Sequence, residues 1–236
     1  MVDGTPSIAR KVGAAALIVA AVQWVVGEAV AASAWTNPRY SYSHNFISDL
    51  GVPSCGGELQ GRTICSPLYA VMNTSFIAQG VLYAVAAVLL FRLLPGLVSW
   101  VYLVLAVVHG VGLTLVGLVH GSPEALADGS MQWHGLGAGL AIFGGNLVSI
   151  VVGCTLLRGR AVRWLGITEV ALGVFGLASA LVLLTMMNIE NAGVFERCSV
   201  YAFIAAELVA GVALLSVGRS GRSQAAERTT ADSAPR

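Results

Sequence analysis

The chain has 236 residues, 56% of them hydrophobic and only 11% charged, with 13 basic and 12 acidic side chains and a mean hydropathy of +0.79. That balance leaves too little polar surface for a water-soluble domain and marks a membrane protein. A disordered chain, a disulfide-knotted mini-protein and a nucleic-acid binder are excluded: the first needs polarity, the second dense cysteine where 4 occur, and the third a basic field where the formal charge is +1.

Crossing a hydrocarbon layer of ~30 Å takes ~20 apolar residues in a helix. Six stretches qualify, at roughly 12–34, 67–91, 97–119, 133–157, 164–187 and 199–217. The predicted fold is an all-α membrane protein: a six-transmembrane-helix bundle over 12–217, preceded by a short N-terminus (1–11) and followed by a tail (218–236). Arg10, Lys11, Arg92, Arg158, Arg160, Arg163, Arg219, Arg222, Arg228 and Arg236 fall on one side of this threading, and Arg39, Arg62 and Arg197 on the other. Basic residues accumulate on the cytoplasmic side of short connections, so both termini are expected in the cytoplasm and the membrane is expected to be the plasma membrane.

The first segment, with Arg10 and Lys11 ahead and Ala31, Ala32, Ser33 and Ala34 at its end, also resembles a secretory signal. It is long enough to be kept as a span. Glu28 lies in its outer part. The outer connection 35–66 follows, where Trp35, Tyr40 and Tyr42 suit an aromatic belt. Next comes His44-Asn45-Phe46-Ile47-Ser48-Asp49-Leu50-Gly51 with Pro53 beyond. Asn45 is a good N-cap and Gly51 with Pro53 a helix stop, which predicts a short outer amphipathic helix. His44 would pair with Ser48 and Asn45 with Asp49 on its polar flank, while Phe46, Ile47 and Leu50 enter the membrane boundary. Cys55 and Cys65, close together in an oxidising compartment, are expected to form a disulfide.

The string from Asn45 to Gly51, an Asn73 at the outer start of the second span and the six-span layout together resemble the domain of unknown function 998 family of bacterial and archaeal membrane proteins. The resemblance runs from the first span to about Leu215. It implies an integral membrane protein without established chemistry and supplies no catalytic residues. The string itself reads either as a ligand or partner surface or as a structural cap over the outer end of the bundle.

The third span carries His109 near the midplane, and His120 follows it on the same helical face. His134 begins the antiparallel fourth span at the depth of His120, so these two histidines can meet at the rim. With Glu124, Asp128, Asp49 and His44 in nearby connections, they have ligand types suited to zinc; no other cofactor is indicated. Glycine makes up 28 residues, and small residues four apart let membrane helices approach closely. The fourth span has Gly135 and Gly139, then Gly137, Ala141 and Gly145; the fifth has Gly173, Gly176 and Ala180. Arg197, at the end of the third outer connection, is expected to pair with Glu190, Glu196 or Asp49, or to grip a lipid phosphate. Glu207 lies below the outer surface in the sixth span. The tail after Gly218 has no apolar period and reads as disordered.

An ionisable group inside a span is by default a functional hypothesis. Candidate ligand-binding residues are therefore Glu28, His44, Asn45, Asp49, Asn73, His109, Arg197 and Glu207, with His120 and His134 as a candidate metal pair. Three functions fit. The first is a protein without a catalytic centre, binding lipid, a small molecule or a membrane partner, including a second copy of itself, at an outward-facing site. The second is a zinc-dependent lipid hydrolase at His120 and His134. The third is a proton-coupled carrier using Glu28, His109 and Glu207, in which Glu28 and Glu207 otherwise pair with Asn73, Gln23 or Gln79 to hold helices in register. Motifs of soluble enzymes are absent.

Overall fold

The computed structural model describes residues 8–185 and 190–232. Residues 1–7, 186–189 and 233–236, which belong to the expected N-terminus, to the end of the fifth span with the start of the third outer connection, and to the tail, lie outside them. Among the described residues six helices are long and apolar enough to cross a membrane, as the hydropathy predicts. They are α1 (Ile8–Ser33), α2 (Tyr69–Leu90), α3 (Gly96–Leu118), α5 (Met131–Leu156), α6 (Arg163–Thr185) and α7 (Ala192–Asp232), the last spanning as far as Ser216. The remaining helix, α4 (Pro123–Asp128), is short and lies in a connection.

Short connections make successive spans antiparallel neighbours, and the chain closes into a ring: α1 packs on α2, α2 on α3, α3 on α5, α5 on α6, α6 on α7, and α7 back on α1. Backbone approach at the crossings depends on glycine, because lipid gives little drive to bury oily side chains and close contact must supply the attraction. A Cβ on Gly112 would stand 2.6 Å from the Gly137 carbonyl oxygen, and one on Gly137 would stand 2.9 Å from that of Gly112. The expected small-residue rows divide accordingly. Gly137, Ala141 and Gly145 face the interior, where Gly145 abuts His109, whereas Gly135 and Gly139 have open space beside them.

Two apolar layers fill the ring. One, at the end that carries the long connection, joins Trp24, Phe76 and Phe203 with Ile47, Leu50, Leu113 and Val200. The other, toward the termini, is built from Leu17, Tyr83, Leu90, Tyr102 and Val148.

The connections differ from expectation in three respects. First, 44–51 does not lie on the membrane boundary. It forms a turn and a short 3-10 helix (Ser48–Gly51); Ile47 and Leu50 are buried in the first apolar layer and Phe46 is buried beside them in the chain, so the segment plugs the bundle's mouth. Its amphipathic pattern is satisfied by protein instead of lipid. Second, the long connection contains a hairpin of β1 (Cys55–Leu59) and β2 (Arg62–Cys65), turned by Gln60 and Gly61 with φ of 51° and 77° and closed by the Cys55–Cys65 disulfide. Third, α7 begins at Ala192, seven residues before the apolar run, so that Glu196 and Arg197 are helical, Arg197 buried and Glu196 half-buried. The helical path of α7 also continues to Asp232, past Gly218, where no regular structure was expected; Ala, Glu and Arg there have good helix propensity.

Candidate functional site

The plug is held by charges that the sequence shows but does not pair. Asp49 accepts from the Phe46 backbone N–H at 2.9 Å and from Asn45 Nδ2 at 3.3 Å. Arg62, brought over by the hairpin, donates to Asp49 through Nε at 2.8 Å and through its terminal amino group at 3.2 Å, and its guanidinium lies 3.9 Å from the Phe46 ring centroid. Asp49, and not Asn45, therefore takes the Phe46 N–H; the Asn45 side-chain oxygen accepts from the Ser41 N–H at 3.1 Å. Asn73 donates to the Gly51 carbonyl at 2.8 Å. Gly51 is needed for this close approach, since a Cβ there would sit 2.3 Å from Asn73 Oδ1.

Arg197 is the second anchor, and its partner corrects the expectation. It pairs with Glu28 of α1, at 3.1 and 3.2 Å, and not with Glu190, Glu196 or Asp49. It also donates to the Tyr42 and Asn45 carbonyls, each at 2.7 Å, to that of Gly193 at 3.1 Å, and to the Tyr40 hydroxyl. Glu28 accepts a further bond from the Tyr201 hydroxyl at 2.8 Å. All three guanidinium nitrogens are thus engaged by protein partners. Glu196 accepts instead from the Ile47 backbone N–H. Tyr40, which donates to the Phe46 carbonyl at 2.8 Å, has its hydroxyl pushed well above the usual phenol range by burial, with Arg197 pulling the other way.

The remaining candidates also have local partners. His44 Nδ1 lies 3.0 Å from the Glu190 carbonyl oxygen, not beside Ser48. Glu207 accepts from Gln79 at 2.6 Å, and Gln79 accepts from Gln23 at 3.3 Å, which is the helix-registering arrangement the sequence allowed for Glu207. His109 Nδ1 meets the Ala141 carbonyl oxygen at 2.6 Å, with Tyr83 and Phe203 edge-on to its ring at 4.7 and 4.8 Å. Glu28, Asn73, His109 and Glu207 do not share a wall of the cavities described below.

At the rim, His134 Nδ1 contacts the Val119 carbonyl oxygen at 2.7 Å. His120 stacks edge-on against Tyr69, and burial holds its imidazole below the usual histidine range. Glu124 and Asp128 are drawn below the carboxylate range by hydrogen bonds, Glu124 by its own backbone N–H and then Ser122, Asp128 by Ser130. Among the described residues, no three His, Cys, Asp or Glu side chains converge as a metal ion would need.

A lateral groove of about 490 Å³, which no sequence pattern announces, lies between α6 and α7. Leu172 and Phe175 of α6, and Val194, Cys198, Tyr201 and Ala202 of α7, form its walls, and Tyr42 and Ser43 close its end. A hollow of about 420 Å³ lies on the other side of Tyr42, with Trp35 and Arg39 in its wall. Apolar side chains facing lipid and those facing a groove in lipid read alike in a sequence, so no periodicity reveals such a site.

Six apolar spans in a closed ring, mouth plugged by a charge-pinned segment and no metal centre among the described residues, define a multi-pass integral membrane protein. More particularly, the chain belongs to the family described as protein of unknown function (DUF998), whose model matches residues 15–213. Comparison with curated proteins and with solved structures gave no match.

Proposed function

We propose that this is a non-catalytic plasma-membrane protein, termini in the cytoplasm, that binds the hydrocarbon chain of an outer-leaflet lipid in the groove between α6 and α7. The groove itself carries the proposal. Its volume falls in the ~300 to 1,000 Å³ range of ligand sites, and its walls are apolar side chains of two membrane-spanning helices. Phe175, Val194 and Tyr201 are partly exposed along it, open to the bilayer. Arg197 contributes its stem to the wall while its donors are occupied, so selection acts on the chain and on a polar head near Tyr42 and Ser43, not on phosphate charge. The side taken as outer carries six acids against three basic residues, which also disfavours an anionic ligand.

The test is photo-crosslinking in lipid nanodiscs with a phospholipid carrying a diazirine on its acyl chain, mapped by peptide mass spectrometry. Adducts should concentrate on 172–175 and 194–202 relative to the lipid-facing side of α3, where Val104, Val107 and Val111 are exposed. Labelling no denser at the groove than on α3 would overturn the assignment.

A further inference from the structure

Deep in the bundle, two carboxyl groups lack the partners their burial demands. Glu28 is matched by Arg197 and Asp49 by Arg62. Glu169 of α6 and Glu207 of α7, 3% and 4% exposed, have no salt bridge among the described residues. Glu169 Oε1 and Glu207 Oε2 have no hydrogen-bond donor either.

The two groups are placed together. With a rise of ~1.5 Å per residue, Glu169 lies about 24 Å along α6 from Thr185, and Glu207 lies about 22 Å along α7 from Ala192. Because these helices are packed and antiparallel, with Gly176 against Ala202, the carboxyls come to one depth. The phenols of Tyr83 on α2 and Tyr102 on α3 are buried in the apolar layer toward the termini. His109 of α3 meets Tyr83 edge-on, and its Nε2 has no hydrogen-bond partner. α1 and α5 bring the neutral amides Gln23, bonded to Gln79, and Asn146, bonded to the Ser199 carbonyl.

We propose that Glu169 and Glu207 form a proton-binding site between α6 and α7, a carboxyl pair that retains at least one proton. Each proton adds to one carboxylate oxygen and gives a neutral carboxylic acid; nothing is oxidised or reduced. An ionised carboxylate without a counter-ion in a medium this apolar is strongly disfavoured, and a second like charge at the same depth compounds the cost. The oxygens that lack donors are the atoms a proton would occupy. Loss of the proton would set two negative charges against each other across the α6–α7 contact. The proposal is independent of the lipid groove.

Infrared spectroscopy of the protein in nanodiscs reads the protonation state directly. At neutral pH the wild type should show a carboxylic-acid C=O band that shifts in D2O, shrinks in Glu169→Gln or Glu207→Gln and shrinks further in the double variant. A double variant that keeps the whole band, or a wild type that lacks it, overturns the proposal, as does a band removed when sodium replaces choline at fixed pH, which would make the site one for a metal cation. Should the glutamine variants fail to fold, dicyclohexylcarbodiimide, which modifies protonated carboxyls in apolar surroundings, settles the matter on the wild type. Adducts at Glu169 or Glu207 that decline as pH rises support the site, and unmodified Glu169 and Glu207 refute it.

Discussion

Replacing Arg197 by methionine tests whether the plug is fastened by a buried charge cluster. The substitution keeps the length of the stem but removes a guanidinium that is engaged by Glu28, by the Tyr42, Asn45 and Gly193 carbonyls and by the Tyr40 hydroxyl. Arg197 and Glu28 are 7% and 1% exposed, so solvent cannot take over either partner's role. Breaking such a pair from one side costs ~3 to 5 kcal/mol, chiefly because the other charge stays buried and uncompensated. Glu28 keeps its bond from Tyr201, which softens the loss and points to the lower part of that range. Removing both charges, as Glu28→Gln with Arg197→Met, should recover a substantial part of it, since a neutral pair leaves no stranded ion. The assay is reversible unfolding in mixed micelles, run as a double-mutant cycle. A single variant within ~1 kcal/mol of wild type, the value of a surface ion pair, would refute the reasoning, as would a double variant whose loss equals the sum of the singles.

Asp49→Asn should destabilise by ~2 to 4 kcal/mol in the same assay, since Arg62 loses its buried counter-ion; a cysteine introduced at Ser48 should then react faster with a water-soluble maleimide than it does behind an intact plug. Gly51→Ala forces a Cβ to 2.3 Å from Asn73 Oδ1 and should cost ~1 to 3 kcal/mol, with partial relief when Asn73 is also made alanine. Reducing Cys55–Cys65 frees the hairpin that carries Arg62 and should lower the unfolding free energy by ~2 to 4 kcal/mol in the chain-entropy picture, seen as a fall in melting temperature with reductant that a Cys55→Ser, Cys65→Ser variant does not show. Gly137→Val places a branched side chain where the Gly112 carbonyl already approaches, and should separate α3 from α5 enough to lower expression of folded protein on gel filtration.

The sequence by itself determined the number of spans and that each runs back across the layer beside the one before it. Both rest on local quantities: an apolar run either is or is not long enough to cross the hydrocarbon, and a short connection leaves the next helix no neighbour but the last. The Cys55–Cys65 pairing was legible for the same reason, two thiols in one connection. What each polar residue does was decided by the tertiary structure alone. Arg197 and Glu28 are 169 positions apart, and nothing in the composition around Arg197 prefers Glu28 to Glu196 beside it. The segment from Phe46 to Gly51 reads equally well as an amphipathic helix on lipid or as a plug in protein, because both environments are apolar on one side and polar on the other. Closure of the ring settles it: six helices joined edge to edge leave a mouth that only an apolar, internally hydrogen-bonded segment can fill, and the charges that fasten the segment follow from where it comes to rest.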